Sequence, residues 1–197
     1  PYIQHSNQTV DPLNEYQRRI KAITDIGSKK MTLADHERLY ELKFHAALYH
    51  TQEIPELGGN GGGFPFVPAD NIQKVLREGG ARSRKGKDVE RSVIVVTDTI
   101  KLEYDGPKDR DGLYADKRFV LIKPVKPSGA GTVMSARPIF RDWALTFTVS
   151  VNTDLINVDD VTLALQRAGA EVGLGNWRPR YGRFRITHIN GKAVKKQ

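Results

Sequence analysis

The chain has 197 residues, no cysteine, and a formal net charge of +8 from 31 Lys and Arg against 23 Asp and Glu. Without cysteine it has no disulfides, thiolate metal sites or cysteine nucleophiles, and no stretch reaches the roughly 18 apolar residues of a membrane span. The opening PYIQHSNQTV has neither the charged start nor the apolar run of a secretory signal, and the lack of cysteine makes a cytoplasmic protein the expectation.

A hydrophobic fraction of 39% supplies enough apolar mass for one globular domain over residues 1–197. Its charge is uneven. Residues 1–60 carry 7 basic and 8 acidic side chains, and residues 61–197 carry 24 and 15. The expected organisation is a helical, near-neutral portion over 1–60 and a basic, sheet-rich portion over 61–197.

The elements follow in chain order. Residues 11–26 read as a helix with Asp11 as cap and Pro12 at the first helical position. Thr32 opens a second helix with Asp35 in capping-box spacing, and Leu33, Tyr40, Phe44 and Leu48 form its expected buried stripe. Five glycines between Gly58 and Gly63 predict a mobile loop. Pro68 then starts a helix that ends at Gly79–Gly80, with Ile72, Val75 and Leu76 as its core face. The following ARSRKGKDVER reads as a flexible basic loop.

From residue 92 the apolar period shortens to two. SVIVVT and IKLEY are strands, 105–117 is a long turn, and RFVLIKPV and TVMSARP are strands around KPSGAG. RDWALTFTVSV is the clearest strand, with Trp143, Leu145, Phe147, Val149 and Val151 on one face. A helix at 158–169, a glycine-punctuated loop and a last strand, RFRITHI, complete the chain. Grouped helices and a terminal β–α–loop–β unit predict an α+β fold. The expected form is a ferredoxin-like antiparallel sheet with helices on one face and inserted hairpins.

The chemistry concentrates in GLGNWRPRYGRF, residues 173–184. Trp177 and Tyr181 alternate with Arg178, Arg180 and Arg183 among Gly173, Gly175 and Gly182. Guanidinium groups grip phosphates in a bidentate fork, and aromatic rings offer flat surfaces to unpaired bases. After Glu171 there are seven basic residues and no acidic one, a bias that a merely solvated face does not need. A second basic segment supplies Arg82, Arg84, Lys85 and Lys87 as a track for a nucleic-acid backbone. In a third, Arg137 and Arg141 flank the turn ARPIFRDW and line a sheet face.

Catalytic patterns are absent. GLG lies after a helix and before a strand, the reverse of a dinucleotide fingerprint. His45 and His50 do not match the HExxH spacing, and Asp105, Asp109, Asp111 and Asp116 do not match a calcium loop. No cofactor and no metal are expected.

The closing loop resembles the glycine-rich loop of the RAMP proteins, the repeat-associated proteins of CRISPR effector complexes. FPFVPADNIQKVLREGGA is similar to their Pro-initiated helix that ends near a basic residue. The order of segments also resembles RAMP-like proteins of tailed bacteriophages, which share the DPLN-x-Y start, the RP-x-F-x-x-W strand and the RP-x-x-GRF loop. The resemblance implies a sheet like that of RNA-recognition motifs and protomers stacked along a strand. It carries over onto Gly173, Gly175, Arg178, Arg180, Gly182 and Arg183. Some RAMPs cleave RNA with a His near the chain start, where this chain has His5 without an evident activating partner.

The expectation is a non-enzymatic binder of single-stranded DNA or RNA that self-associates along the strand. About six neutralised phosphates would give a slope near −4 in log K against log salt. The alternatives are a metal-independent endoribonuclease using His5 or His188, and a phage structural, assembly or counter-defence protein with a protein partner.

Overall fold

The computed structural model describes residues 1–27, 29–53, 62–126 and 131–194. The glycines at 58–61, most of the KPSGAG linker, and Lys195 and Lys196 lie outside the described residues. The elements are β1 (Tyr2–Ile3), α1 (Glu15–Thr24), α2 (Leu33–Ala47), β2 (Phe66–Pro68), α3 (Ala69–Ala81), α4 (Gly86–Ser92), β3 (Val93–Val95) and β4 (Thr99–Glu103). They continue with α5 (Arg110–Ala115), β5 (Val120–Val125), β6 (Val133–Phe140), β7 (Ala144–Leu145), β8 (Val149–Val151), α6 (Val158–Arg167), β9 (His188–Ile189) and β10 (Lys192–Ala193). The fold is α+β with antiparallel strand pairs.

Two compact units interleave in the sequence, and neither follows the 1–60/61–197 division of charge. One holds Pro1–Tyr2, Phe66–Glu103 and Ala144–Gln197; the other holds Ile3–Pro65 and Tyr104–Trp143.

In the first unit β4 lies between β2 and β7, with Phe66 opposite Lys101 and Leu102 opposite Leu145. A separate ladder sets β3 against β8, Val93 opposite Val151. The alternation expected along 143–151 is present, with Leu145, Phe147, Val149 and Val151 half-buried and Ala144, Thr146, Thr148 and Ser150 exposed. The strand is nevertheless interrupted at 146–148. Ile72, Val75 and Leu76 are buried on α3 as the periodicity predicts. Gly79 and Gly80 lie inside this helix instead of ending it. A Cβ on Gly79 would overlap the Ala164 carbonyl of α6, so glycine is what lets the two helices approach so closely. Gln73 extends from α3 to β3, donating to the Val93 carbonyl at 2.7 Å and accepting from the Val95 amide at 3.2 Å.

β2 and β4, separated along the chain by α3, α4 and β3, are antiparallel neighbours. One feature of this unit departs from expectation. RFRITHI yields only β9, which forms a hairpin with β10. Asn190 (φ 49°) and Gly191 (φ 73°) turn it, the positive pair that a tight two-residue hairpin demands.

The second unit sets β6 between β5 and the Ile3 end of β1, with Leu121 opposite Arg137. Thr32 and Asp35 cap α2 reciprocally. Leu33 is exposed, however, and Leu39, Leu42, Phe44 and Leu48 are buried. The first helix begins later than its Pro12 suggests, because Asn14 accepts from the Tyr16 amide and caps it. Asp11 accepts from the Leu13 amide in the preceding turn. The expected long turn at 105–117 contains α5, capped by Asp109, which accepts from the Gly112 amide at 2.7 Å. Asp116 likewise accepts from the Arg118 amide. Two of the four loop carboxylates are therefore helix caps.

Candidate nucleic-acid interface

The loop after α6 is a pinned lobe. Helix α6 runs into a wider turn at Ala168–Val172, and the chain then reverses at Gly173 (φ 80°) and Gly175 (φ 83°). The Leu174 amide donates to the Gly182 carbonyl at 2.7 Å, closing residues 175–181 into a loop. The Gly182 amide in turn donates to the Pro1 carbonyl at 2.7 Å, and the Phe184 amide to the Gly169 carbonyl at 3.2 Å. Gly182 sits at φ 78°, and a Cβ there would overlap the Leu174 carbonyl. These glycines thus serve a close approach of backbone, and at Gly173 and Gly182 it is the chain's own backbone that fills the room.

What the lobe presents is aromatic and cationic. Trp177, held at φ 55°, and Tyr181 are both part-exposed, with ring centroids 6.2 Å apart. A bulky residue in the left-handed region is uncommon, and such strain persists where the surroundings over-determine it. The Arg180 guanidinium lies 5.6 Å from the Tyr181 ring centroid. Arg183 donates through Nε to the Pro179 carbonyl at 3.0 Å. Arg180, Arg183 and Arg185 are exposed.

Arg178 differs from the other lobe arginines. It is only about a quarter exposed, and it donates from Nη1 to Glu78 Oε2 of α3 at 2.9 Å. It also reaches the Gly173 carbonyl at 3.4 Å. This arginine fastens the lobe to α3 and has little left for a phosphate.

The second basic segment is not the expected flexible loop. Only residues 82–85 form a turn, and Lys87 and Arg91 belong to α4. Arg82 faces Glu171 at 3.7 Å, and Lys85 faces Asp160 at 3.7 Å. Arg167 Nη1 donates to the Arg82 carbonyl at 2.5 Å, so this turn is tied to α6. Arg84 (φ 61°) and Lys87 are exposed. Among the described residues, Arg84, Lys87, Arg180, Arg183 and Arg185 are exposed cations of this unit outside any ion pair.

Arg137 and Arg141 belong to the other unit. Arg137 is inside β6 and 9% exposed, with its guanidinium pKa lowered by burial, and Arg141 follows β6 in an exposed position. The expected sheet-face pair is thus one buried and one exposed residue. His5 titrates near 4, because burial and then the Arg137 charge disfavour its cation. His45 also titrates near 4, through burial first and the Arg110 charge second. His50 is buried, with Nε2 2.8 Å from the Lys108 carbonyl oxygen, and His188 is exposed on β9. Among the described residues no three His, Asp or Glu side chains are grouped to hold a metal ion, and no helix is long and apolar enough to cross a membrane.

Two features of this arrangement were missed from sequence. Arg185 was passed over, although its spacing from Arg183 at a two-residue period places both on one side of the extended segment. Glu78 was missed as a partner because nothing local links it to Arg178. Compared with known proteins, the chain matches no family model, no curated protein and no solved structure.

Proposed function

We propose that the chain is a non-enzymatic, single-stranded nucleic-acid-binding protein, of the RAMP-like kind its loop motifs resemble, and that the pinned lobe is its contact surface. The observation that carries the reading is the lobe itself. A backbone clamp at Leu174 and Gly182 holds Trp177 and Tyr181 part-exposed beside three exposed arginines. Rings on a pre-organised loop stack on bases without first ordering that loop, and each stacked base contributes about 1–3 kcal/mol. Arg180, Arg183 and Arg185, with Arg84 and Lys87, supply the sequence-independent attraction to phosphates. Stacking needs unpaired bases, so the mechanism selects single strands over duplex. Self-association along the strand belongs to the same proposal.

With Arg82, Lys85 and Arg178 facing carboxylates, Arg84, Lys87, Arg180 and Arg183 remain of the loop cations expected from sequence, and Arg185 brings the number to five. At about −0.7 per phosphate, log K against log salt should have a slope near −3.5. The test is fluorescence anisotropy with single-stranded DNA, single-stranded RNA and duplex DNA across a salt series. The expected result is that slope with a preference for one or both single strands. Equal affinity for duplex, or affinity independent of salt, would remove the stacking or the phosphate part of the mechanism respectively.

A further inference from the structure

The second unit contains a cavity of about 150 Å³ lined by residues from its N-terminal segment, α1, α2, β5 and β6. That volume is several times the roughly 30 Å³ share of one water molecule, so it accommodates a small ligand. Its polar lining is made of donors. Lys43 comes from α2, Ser135 and Arg137 from β6, His5 and Thr9 from the N-terminal segment, and Gln17 from α1. Among the described residues no Asp or Glu lines it. Alanines and valines make up most of the remaining wall.

We propose that this cavity is a binding site for a small tetrahedral oxyanion of the phosphate class, free or as a phosphate monoester. Two cationic side chains, Lys43 and Arg137, line it, and both charges favour an anion over a neutral ligand there. A guanidinium and an ammonium supply the charge-assisted hydrogen bonds that oxyanions select, and the Ser135 and Thr9 hydroxyls and the Gln17 amide complete a donor set for several oxygens. Lys43 donates to the Met134 carbonyl at 2.8 Å, which fixes its ammonium against β6. The His5 ring, 3.0 Å from Thr9 Oγ1, is neutral at neutral pH and can donate one N–H. The inference is independent of the single-strand reading, which rests on the lobe of the other unit.

Isothermal titration calorimetry on the full chain tests it, with inorganic phosphate, thymidine 5′-monophosphate and thymidine as titrants. The expected result is binding of phosphate, the monoester or both at about 1 mM or tighter, and none of thymidine. Whichever phosphate binds better identifies the source of the anion. Lys43→Gln should weaken that binding about tenfold, and Lys43→Arg, which keeps the charge, should restore most of it. Lys43 is only half-buried, so its variants avoid the folding risk of replacing Arg137. A thermal melt of the wild type gives a second reading, since saturating phosphate should raise Tm. The proposal is overturned if phosphate and its monoester give neither heat nor a shift in Tm at about 20 mM. It is overturned equally if Lys43→Gln binds as the wild type does.

Discussion

Gly182→Ala should weaken single-strand binding at least about thirtyfold while leaving the protein folded. Two effects combine at this position. Its φ of 78° costs an L-residue roughly 1–2 kcal/mol, and the new Cβ would overlap the Leu174 carbonyl. Relief requires the two backbones to separate, which breaks the 2.7 Å bond that closes the lobe. Trp177 and Tyr181 then lose their common frame. Two stacking positions at about 1–3 kcal/mol each set the lower bound of thirtyfold, since about 1.4 kcal/mol corresponds to tenfold. Gly191→Ala is the matched control, because its φ is 73° and nothing lies within 4 Å of the added Cβ. It should bear the dihedral cost alone and bind normally. Anisotropy of both variants, with circular dichroism to confirm folding, makes the comparison.

The second large effect should follow from charge. Replacing Arg180, Arg183 and Arg185 together with alanine should lower affinity about fiftyfold at physiological salt and flatten the salt slope by about 2. The variant and the wild type should converge as salt approaches about 1 M, where counterion release contributes little. Arg178→Ala should behave differently. It leaves Glu78 of α3 without its partner, so its first consequence is a loss of about 1.5–3 kcal/mol of stability, seen as a lower Tm. The salt slope should stay at the wild-type value. If Arg178→Ala flattens the slope as much as one of the exposed arginines does, its assignment to fastening the lobe is wrong.

The contrast among these arginines shows what the sequence could and could not convey. The excess of positive charge after Glu171 and the aromatic interleaving were legible, because composition and short spacing carry them. That Arg178 is tied to α3 was not, since its partner Glu78 stands 100 residues away. That Arg82 and Lys85 face carboxylates on or beside α6 was hidden for the same reason. Local signals served well where the physics is local. The Thr32–Asp35 box and the Ile72, Val75 and Leu76 stripe are both present. They failed where a short element competes with a loop, as with α5, six residues between Asp109 and Asp116 in a segment rich in turn formers. The glycines of the lobe stand out in the sequence, but which backbone each one admits is not local information. Gly182 serves the close approach of its own chain, visible only once Leu174 is placed against it. Likewise the donor-lined cavity of the second unit could not be read from Lys43 and Arg137, which are far apart in sequence and meet through folding.

The central claim is that Trp177 on the pinned lobe touches nucleic-acid bases, and its fluorescence tests this most directly. The chain has two tryptophans, so a Trp143→Phe background leaves Trp177 as the only indole reporter. Titration with a single-stranded homopolymer should quench its emission with the same midpoint as the anisotropy, and duplex of equal length should quench far less. Unchanged Trp177 emission at concentrations where anisotropy shows a saturated complex would place the strand elsewhere and contradict the assignment of the lobe.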